Sequence, residues 1–224
     1  MFKNIIETKQ YIEKNQVKYV DLKLTDLRGR FRHITIPAER LNESVMKDGI
    51  GFDASNYGYA SVEKSDMVFY PDLSSARPDP FAEETTLTMF GDVRLIREKE
   101  NVPFNQYPRN ILTRAVEFMK EENIADEMII GPEYEFSVFD SVACRIAPDE
   151  VSYRLFSEES EWSGNDEYSN GYHTLSKDGY HADRPNDIHF DLRNQICSCL
   201  KDYGIPVKSA EADRWRLKWN WEMC

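Results

Sequence analysis

The stretch VKYVDLKLTDLRGRFRHITIP, residues 17–37, contains two segments with the alternation expected of β-strands. In the first segment, Val20, Leu22 and Leu24 alternate with other residues, and FRHITIP, residues 31–37, has the same two-residue period. Between these segments, TDLRGR has the composition of a turn. The stretch therefore predicts a β-hairpin.

The sequence on either side of the hairpin predicts a small α+β domain. Residues 2–15 carry apolar side chains at helical spacing, and residues 38–49 have a helical pattern that ends at Gly49 with a left-handed cap. A polar loop, residues 51–65, leads to two strand candidates, DMVFYPD and TLTMFGDVRLI. The charged segment REKENVPFNQYP contains two prolines and is the expected linker, which gives a first domain over residues 1–103.

Residues 104–224 form the expected second domain. RNILTRAVEFMKEEN, residues 109–123, predicts a helix, and EMIIGPEYEFSVFD predicts a strand after it. Residues 141–185 lack a sustained period and predict an irregular insertion or a hairpin. A helix is predicted again over residues 186–204, where apolar side chains recur at steps of four.

The charge balance excludes several classes of partner. The 224 residues carry 28 lysines and arginines against 40 aspartates and glutamates, which gives a net charge of -12. Such a chain repels phosphate backbones and anionic surfaces, so we expect neither nucleic acid nor a membrane as a partner. No apolar run approaches the roughly 20 residues that cross a bilayer, and the N-terminus lacks a signal-peptide core, so the sequence predicts a cytoplasmic protein. The four cysteines show no CxxC spacing, and the four histidines show no metal-ligand spacing.

The motif GPEYEF, residues 131–136, is the strongest indication of chemistry. On a strand, Glu133 and Glu135 share one face, while Tyr134 and Phe136 lie on the other. Two neighbouring carboxylates repel each other unless a cation lies between them, and Mg²⁺ and Mn²⁺ prefer carboxylate oxygens. From spacing alone, a solvated strand face with two glutamates explains the motif equally well.

The motif resembles the metal-binding strand of glutamine synthetases, which reads roughly G-P-E-x-E-F. Three further segments are similar to that family in the same order. LTDLRGRFRHITIP, residues 24–37, resembles its first hairpin, and residues 48–72 resemble its flexible loop and the strand that follows. YPRNILTRA, residues 107–115, is similar to its domain-junction helix. The combination is more specific than any one segment.

The resemblance implies both a fold and an activity. The fold is α+β, with a small β-grasp-like N-terminal domain followed by a truncated glutamine synthetase-type catalytic α/β domain. The activity is ATP-dependent amidation of L-glutamate with ammonia, and Glu133 and Glu135 match the first two metal-binding glutamates, which serve a pair of Mg²⁺ or Mn²⁺ ions. Glutamate, ammonia and ATP, together with further copies of the chain in a homo-oligomeric ring, are the implied partners.

The resemblance also implies a catalytic role for Asp53. This residue matches a loop aspartate that reaches the neighbouring subunit's site, where it binds ammonium and helps to deprotonate it. The loop departs from the family's D-G-S-S, because Ala54 follows Asp53, and this leaves the accepted amine open. Asp66, in the S-D-M that ends the loop, is expected to fix the loop end through backbone hydrogen bonds.

The resemblance ends at residues 209–224. The family continues with H-H-E, a glycine-rich turn and another acidic residue, whereas this chain reads SAEADRWRLKWNWEMC. Glu211 and Asp213 lie near the expected ligand position but lack the surrounding motif. A shift of reading frame in the gene and a divergent terminus whose tryptophans pack on the domain are two open explanations.

The missing ligands lead to an expectation about activity. Two carboxylates and water hold an ion weakly, so we expect the chain alone to make no glutamine. Two alternative functions remain open. The chain is then either a non-catalytic partner that docks into glutamine synthetase rings, or a related ligase that couples glutamate to a larger amine.

Overall fold

The computed structural model describes residues 2–158, 160, 179–213 and 216–221. The chain divides into two compact units, residues 1–128 and 129–224. Among the helices in the described ranges, none is long and apolar enough to cross a membrane.

The first unit is a mixed sheet with helices around it. Its helices are α1 (Ile5–Lys14), α2 (Glu43–Asp48) and α3 (Pro108–Glu121). Its strands are β1 (Tyr19–Thr25), β2 (Phe31–Pro37), β3 (Ile50–Asp53), β4 (Asp66–Pro71), β5 (Arg77–Pro78), β6 (Thr86–Leu95) and β7 (Val102–Pro103). The strand order is β2-β1-β6-β4-β3, and the two short strands β5 and β7 both pair with β6.

Strands β1 and β6 lie at the centre of this sheet and supply its core. They run parallel to each other, while β1 pairs antiparallel with β2 in the predicted hairpin. Val20, Leu22 and Leu24 are fully buried, as are Leu87 and Met89 on β6. The alternation in the sequence thus corresponds to one buried face of the sheet.

The turn of the β1–β2 hairpin is organised by Asp26, which is only 2% exposed. Its Oδ1 atom accepts hydrogen bonds of 2.9 Å from the backbone N–H groups of Arg28 and Arg30. Its Oδ2 atom lies 3.1 Å from Nε of Arg32. The Arg30 N–H, with the contacts to Arg28 and Arg32, holds the pKa of Asp26 below its ordinary value despite the opposing effect of burial.

Asp26→Asn is expected to lower the melting temperature of the first unit at pH 7. Because the folded-state pKa is lowered, the carboxylate stabilises the fold above its unfolded pKa of about 3.9, and this contribution is lost as the pH falls through the folded value. The difference from wild type should therefore shrink near pH 3. Thermal melts of the full chain at both pH values measure it, with Glu98→Gln as a control at an exposed position. An undiminished difference near pH 3 would contradict this account.

The loop predicted over residues 51–65 is shorter than expected. Residues Ile50–Asp53 form β3, which pairs antiparallel with β4. Gly49 ends helix α2 at φ 73° and ψ -167°, which is not the predicted left-handed cap but a region that only glycine adopts readily. The glycine turns the chain directly from α2 into β3.

The second unit contains a hairpin, a helix and a small sheet. Its strands are β8 (Glu133–Phe136), β9 (Ser141–Ala147), β10 (Glu150–Phe156), β11 (Val207–Asp213) and β12 (Arg216–Trp221), and its helix is α4 (Phe190–Asp202). Strands β9 and β10 form an antiparallel hairpin. The other three form an antiparallel sheet in the order β11-β12-β8. The strand predicted over residues 127–140 is confined to β8.

A buried ion pair anchors helix α4. Arg193 of this helix is 4% exposed, and Asp187, which precedes the helix, is 7% exposed. Nη1 of Arg193 donates to Oδ1 of Asp187 over 2.7 Å, and its Nη2 atom donates to Oδ2. The two parallel hydrogen bonds fix the segment before the helix against its first turn.

Candidate functional site

Asp53 is the last residue of β3, and its side chain is exposed. Its Oδ1 atom accepts a hydrogen bond of 2.9 Å from the backbone N–H of Ser55. This bond, together with the hydroxyl groups of Ser55 and Ser65, holds the pKa of Asp53 below its ordinary value. The group is therefore a solvent-accessible carboxylate that stays ionised at neutral pH and can attract a cation such as ammonium.

The residues beside Asp53 keep the loop in an ordinary backbone conformation. Ala54 is fully buried, and its N–H donates to the carbonyl of Ser65 over 2.9 Å. Its φ of -89° is available to residues other than glycine, so alanine fits here without backbone strain. Asp66 lies opposite Asp53 at the base of the loop, where β3 pairs with β4.

Glu133 and Glu135 lie two positions apart on β8 in the second unit. Alternate positions of a strand share a face, so positions 133 and 135 lie on the same side of the sheet. In the register with β12, Glu133 is opposite Asn220 and Glu135 is opposite Lys218. Glu135 is exposed.

Strand β11 brings a further acidic residue to this face. Glu211 of β11 is opposite Lys218 of β12. Glu211, Lys218 and Glu135 therefore form one row across the three strands. Sequence reasoning gave no role to Glu211, although Glu211 and Asp213 repeat the two-residue spacing of the β8 glutamates in an extended segment.

His181 is also a neighbour of Glu211, which the sequence did not reveal. Its Nε2 atom lies 3.0 Å from Oε2 of Glu211, and its backbone N–H donates to the carbonyl of Ala212 over 2.9 Å. The ring of Tyr180 stacks on the His181 ring with centroids 4.0 Å apart. The 30 residues that separate His181 from Glu211 explain why spacing gave no signal.

The side chains on this acidic face are of the type that binds a divalent metal ion, but too few of them come together to bind one. Carboxylate oxygens are the ligands that Mg²⁺ and Mn²⁺ favour, and such ions take about six ligands, part of them water. In the part of the chain that the structure describes, no three His, Cys, Asp or Glu side chains come together in a group that could hold a metal ion. These residues thus supply at most part of a ligand set.

Comparison with known families identifies the class of protein. The sequence-family model described as "Glutamine synthetase, beta-Grasp domain" matches residues 16–96. A second family model, described as "Glutamine synthetase, catalytic domain", matches residues 105–214. Together these models describe a β-grasp domain followed by part of a catalytic domain, which confirms the predicted α+β fold class. The chain belongs to the glutamine synthetase family. The catalytic match extends into the segment 209–224 and includes Glu211.

Individual relatives support the same assignment. The glutamine synthetase of Methylococcus capsulatus is 35% identical over 203 residues, covering 89% of this chain and 43% of that protein. A protein of Cupriavidus pinatubonensis named 3-hydroxylaminophenol mutase is 32% identical over 212 residues, covering 93% of this chain and 45% of that protein. Relatives of similar identity to this chain therefore carry different names.

A solved structure shows the same fold. The cryo-EM structure of Plasmodium falciparum glutamine synthetase matches with a TM-score of 0.85 and 25% identity, covering 99% of this chain and 45% of that chain. The chain thus spans less than half the length of the relatives that it matches.

Proposed function

We propose that this chain provides the N-terminal part of a glutamine synthetase-type ligase that amidates L-glutamate with ammonia. In this reaction the γ-carboxylate of glutamate takes the γ-phosphoryl group of ATP and releases ADP. Ammonia then displaces phosphate from γ-glutamyl phosphate and leaves glutamine. In this proposal residues 1–103 are the β-grasp-like domain, residues 104–224 are an incomplete catalytic domain, and the protein works in the cytoplasm as a homo-oligomer.

The observation that supports this proposal is that the EYEF part of GPEYEF forms strand β8 inside the region that matches the catalytic domain. Glu133 and Glu135 occupy positions on one face of β8, and their carboxylates would help to hold Mg²⁺ or Mn²⁺. Such an ion, when bound, neutralises the charge of the transferred phosphoryl group. Asp53, as an ionised and exposed carboxylate, would attract ammonium and accept its proton.

The chain on its own is expected to make no glutamine. The ligand set is incomplete among the described residues, and a partial set of carboxylates holds a divalent ion weakly. A non-catalytic role, in which the chain joins rings of an intact relative and supplies the Asp53 loop, and a ligase for a larger amine are the two alternatives.

Co-expression with an intact glutamine synthetase tests the role of Asp53. The intact subunit carries alanine in place of its own loop aspartate, so its glutamine formation depends on the loop supplied by this chain. We expect the wild-type chain to restore glutamine formation and ADP release, and Asp53→Ala to lower the restored rate by roughly a hundredfold, the range for loss of one acid–base group. Substituting methylamine for ammonia in the same assay tests the larger-amine alternative.

Glu63→Ala is the matched control, because Glu63 is an exposed carboxylate in the same loop. It should restore activity as well as the wild-type chain does. The proposed role of Asp53 fails if the wild-type chain restores nothing, or if Asp53→Ala restores as much activity as wild type.

A further inference from the structure

A cavity of about 210 Å³ in the first unit is lined by residues of β6, β7 and α3. The lining includes Arg94 of β6, Pro103 of β7, and Asn110 and Arg114 of α3, and most of it is polar or charged. A cavity needs only about 10 to 15 Å³ to hold one water molecule, whereas pockets for drug-sized ligands start at about 300 Å³. The volume and the lining therefore suit a small, polar ligand.

Arg94 brings to this cavity a positive charge that lacks a counter-charge. In the part of the chain that the structure describes, its guanidinium forms no ion pair, and its Nε atom is buried without a hydrogen-bond partner. The guanidinium carbon lies 4.7 Å from the centroid of the Tyr70 ring, whose hydroxyl accepts a hydrogen bond of 2.9 Å from Nδ2 of Asn101. Nearly all buried polar groups are paired, and an unpaired one costs stability. Arg94 is thus a cation that is held in place by an aromatic ring and not by an anion.

A second guanidinium reaches the same cavity from α3. Nη2 of Arg114 donates to the carbonyl of Asn105 over 2.7 Å, and Arg114 pairs with no carboxylate among the described residues. A guanidinium has five N–H donors in a planar fork, which matches the two oxygens of a carboxylate. The cavity therefore combines hydrogen-bond donors of two arginines, one on the sheet and one on the helix.

Two carboxylates in the lining limit the charge of the ligand. Oδ1 of Asp92 lies 3.2 Å from Nε of Arg109, so this carboxylate already has a counter-charge. Glu117 is exposed and has no ion-pair partner within the described ranges. A dianion such as phosphate would be repelled by these carboxylates more strongly than a monoanion. The charges of the lining therefore favour a ligand with one negative charge.

We propose that this cavity binds the carboxylate group of a small monoanionic ligand, which accepts hydrogen bonds from Arg94 and Arg114 and so links β6 to α3. Neither Asp53 nor the glutamates of β8 take part in this site, so it stands independently of the proposed ligase activity. The net charge of -12 gives the chain no general attraction for anions, so binding depends on these two guanidinium groups.

Titration of the full 224-residue chain with sodium acetate tests the site, with sodium chloride at equal ionic strength as the reference. The side-chain amide of Asn110 is a suitable nuclear magnetic resonance probe, because this residue lines the cavity and its Nδ2 atom donates to the carbonyls of Val93 and Phe104 over 3.0 Å each. We expect acetate to shift the Asn110 amide signals until they saturate, and chloride to leave them in place. Absence of a saturable shift with acetate would overturn the proposal.

Substitution of either arginine should weaken the binding of acetate. Arg94→Gln and Arg114→Gln are each expected to raise the Kd by about tenfold or more, the effect of losing a hydrogen bond to a charged group. Arg40→Gln removes the same charge from an exposed position of the first unit and should leave the Kd unchanged. An unchanged Kd in both Arg94→Gln and Arg114→Gln would place the acetate elsewhere and contradict the proposed site.

Two further measurements test the chemistry of the ligand. Glu117→Gln should lower the Kd for acetate roughly two- to threefold, because it removes a like charge from the lining. Inorganic phosphate should bind more weakly than acetate, and tighter binding of phosphate would overturn the preference for a monoanionic carboxylate. Circular dichroism establishes that each variant is folded. If Arg94→Gln is unfolded, Arg94→Lys replaces it, with weaker binding expected because lysine lacks the planar fork, and with unchanged binding as the contradicting result.

Discussion

Asp187→Asn is expected to lower the free energy of unfolding of residues 129–224 by about 3 to 5 kcal/mol. The substitution leaves the guanidinium of Arg193 buried without its counter-charge. Both side chains of this pair are about 5% exposed or less, so water cannot take the place of the carboxylate. The loss reflects the cost of a buried unpaired charge rather than the net strength of the pair.

Hydrogen exchange of the α4 amides at increasing urea concentration measures this effect selectively, because α4 belongs to the second unit. The urea midpoint of Asp187→Asn should fall well below that of wild type, while the transition of the first unit, followed by hydrogen exchange of β1 amides, should stay in place.

Asp191→Asn is the matched control. Asp191 pairs with Arg184 over 2.8 Å, but the two side chains are 77% and 58% exposed. An exposed pair of this kind contributes about 0 to 1 kcal/mol, so the urea midpoint should hardly change. The double variant Asp187→Asn/Arg193→Met should recover part of the loss, because no buried charge then remains. Equal effects of Asp187→Asn and Asp191→Asn on the urea midpoint would show that burial does not decide how much stability is lost when an ion pair loses its carboxylate.

The hairpin of β1 and β2 could be predicted because its determinants are local. The two-residue alternation and the turn composition lie within 21 consecutive residues, and the structure pairs Tyr19–Thr25 with Phe31–Pro37. The membership of β3 in the sheet could not be predicted in this way. Its partner β4 begins 13 residues after β3 ends, and the loop composition between them resembles that of an unstructured segment.

The acidic residues of the second unit show the same limit. The spacing of Glu133 and Glu135 is visible within one motif, and so is their common face. The row formed by Glu211, Lys218 and Glu135 depends on three strands that meet only after folding. The pair of Asp187 and Arg193 was also missed, because the predicted helix began at residue 186, whereas α4 begins at Phe190 and leaves Asp187 outside it.

Gly91→Ala is expected to destabilise residues 1–128 by roughly 3 kcal/mol, at the upper end for overpacking a filled core. Gly91 lies on β6 opposite Pro71 of β4. A Cβ atom at this position would lie 2.5 Å from Cζ of Phe69 and closer still to the backbone oxygen of Tyr70. Phe69 is fully buried, and a backbone oxygen in a central strand pair cannot move without breaking the pairing.

The clash would also disturb the start of α3. Tyr107 is the residue directly before α3, and its hydroxyl donates to the carbonyl of Gly91 over 3.1 Å. Tyr107 is 1% exposed, so a shift of β6 would leave its hydroxyl buried without its acceptor. The substitution therefore combines steric strain with the loss of a buried hydrogen bond.

Hydrogen exchange of the β1 and β6 amides at increasing urea concentration measures the stability of the first unit, which contains no tryptophan. Gly51→Ala is the matched control, because Gly51 lies on β3 with no atom within 4 Å of the added Cβ. We expect Gly51→Ala to change stability by less than about 0.5 kcal/mol, as surface substitutions do. Similar protection in both variants would mean that β4 and β6 can separate enough to admit a methyl group, and that the close approach at Gly91 is not what fixes the centre of this sheet.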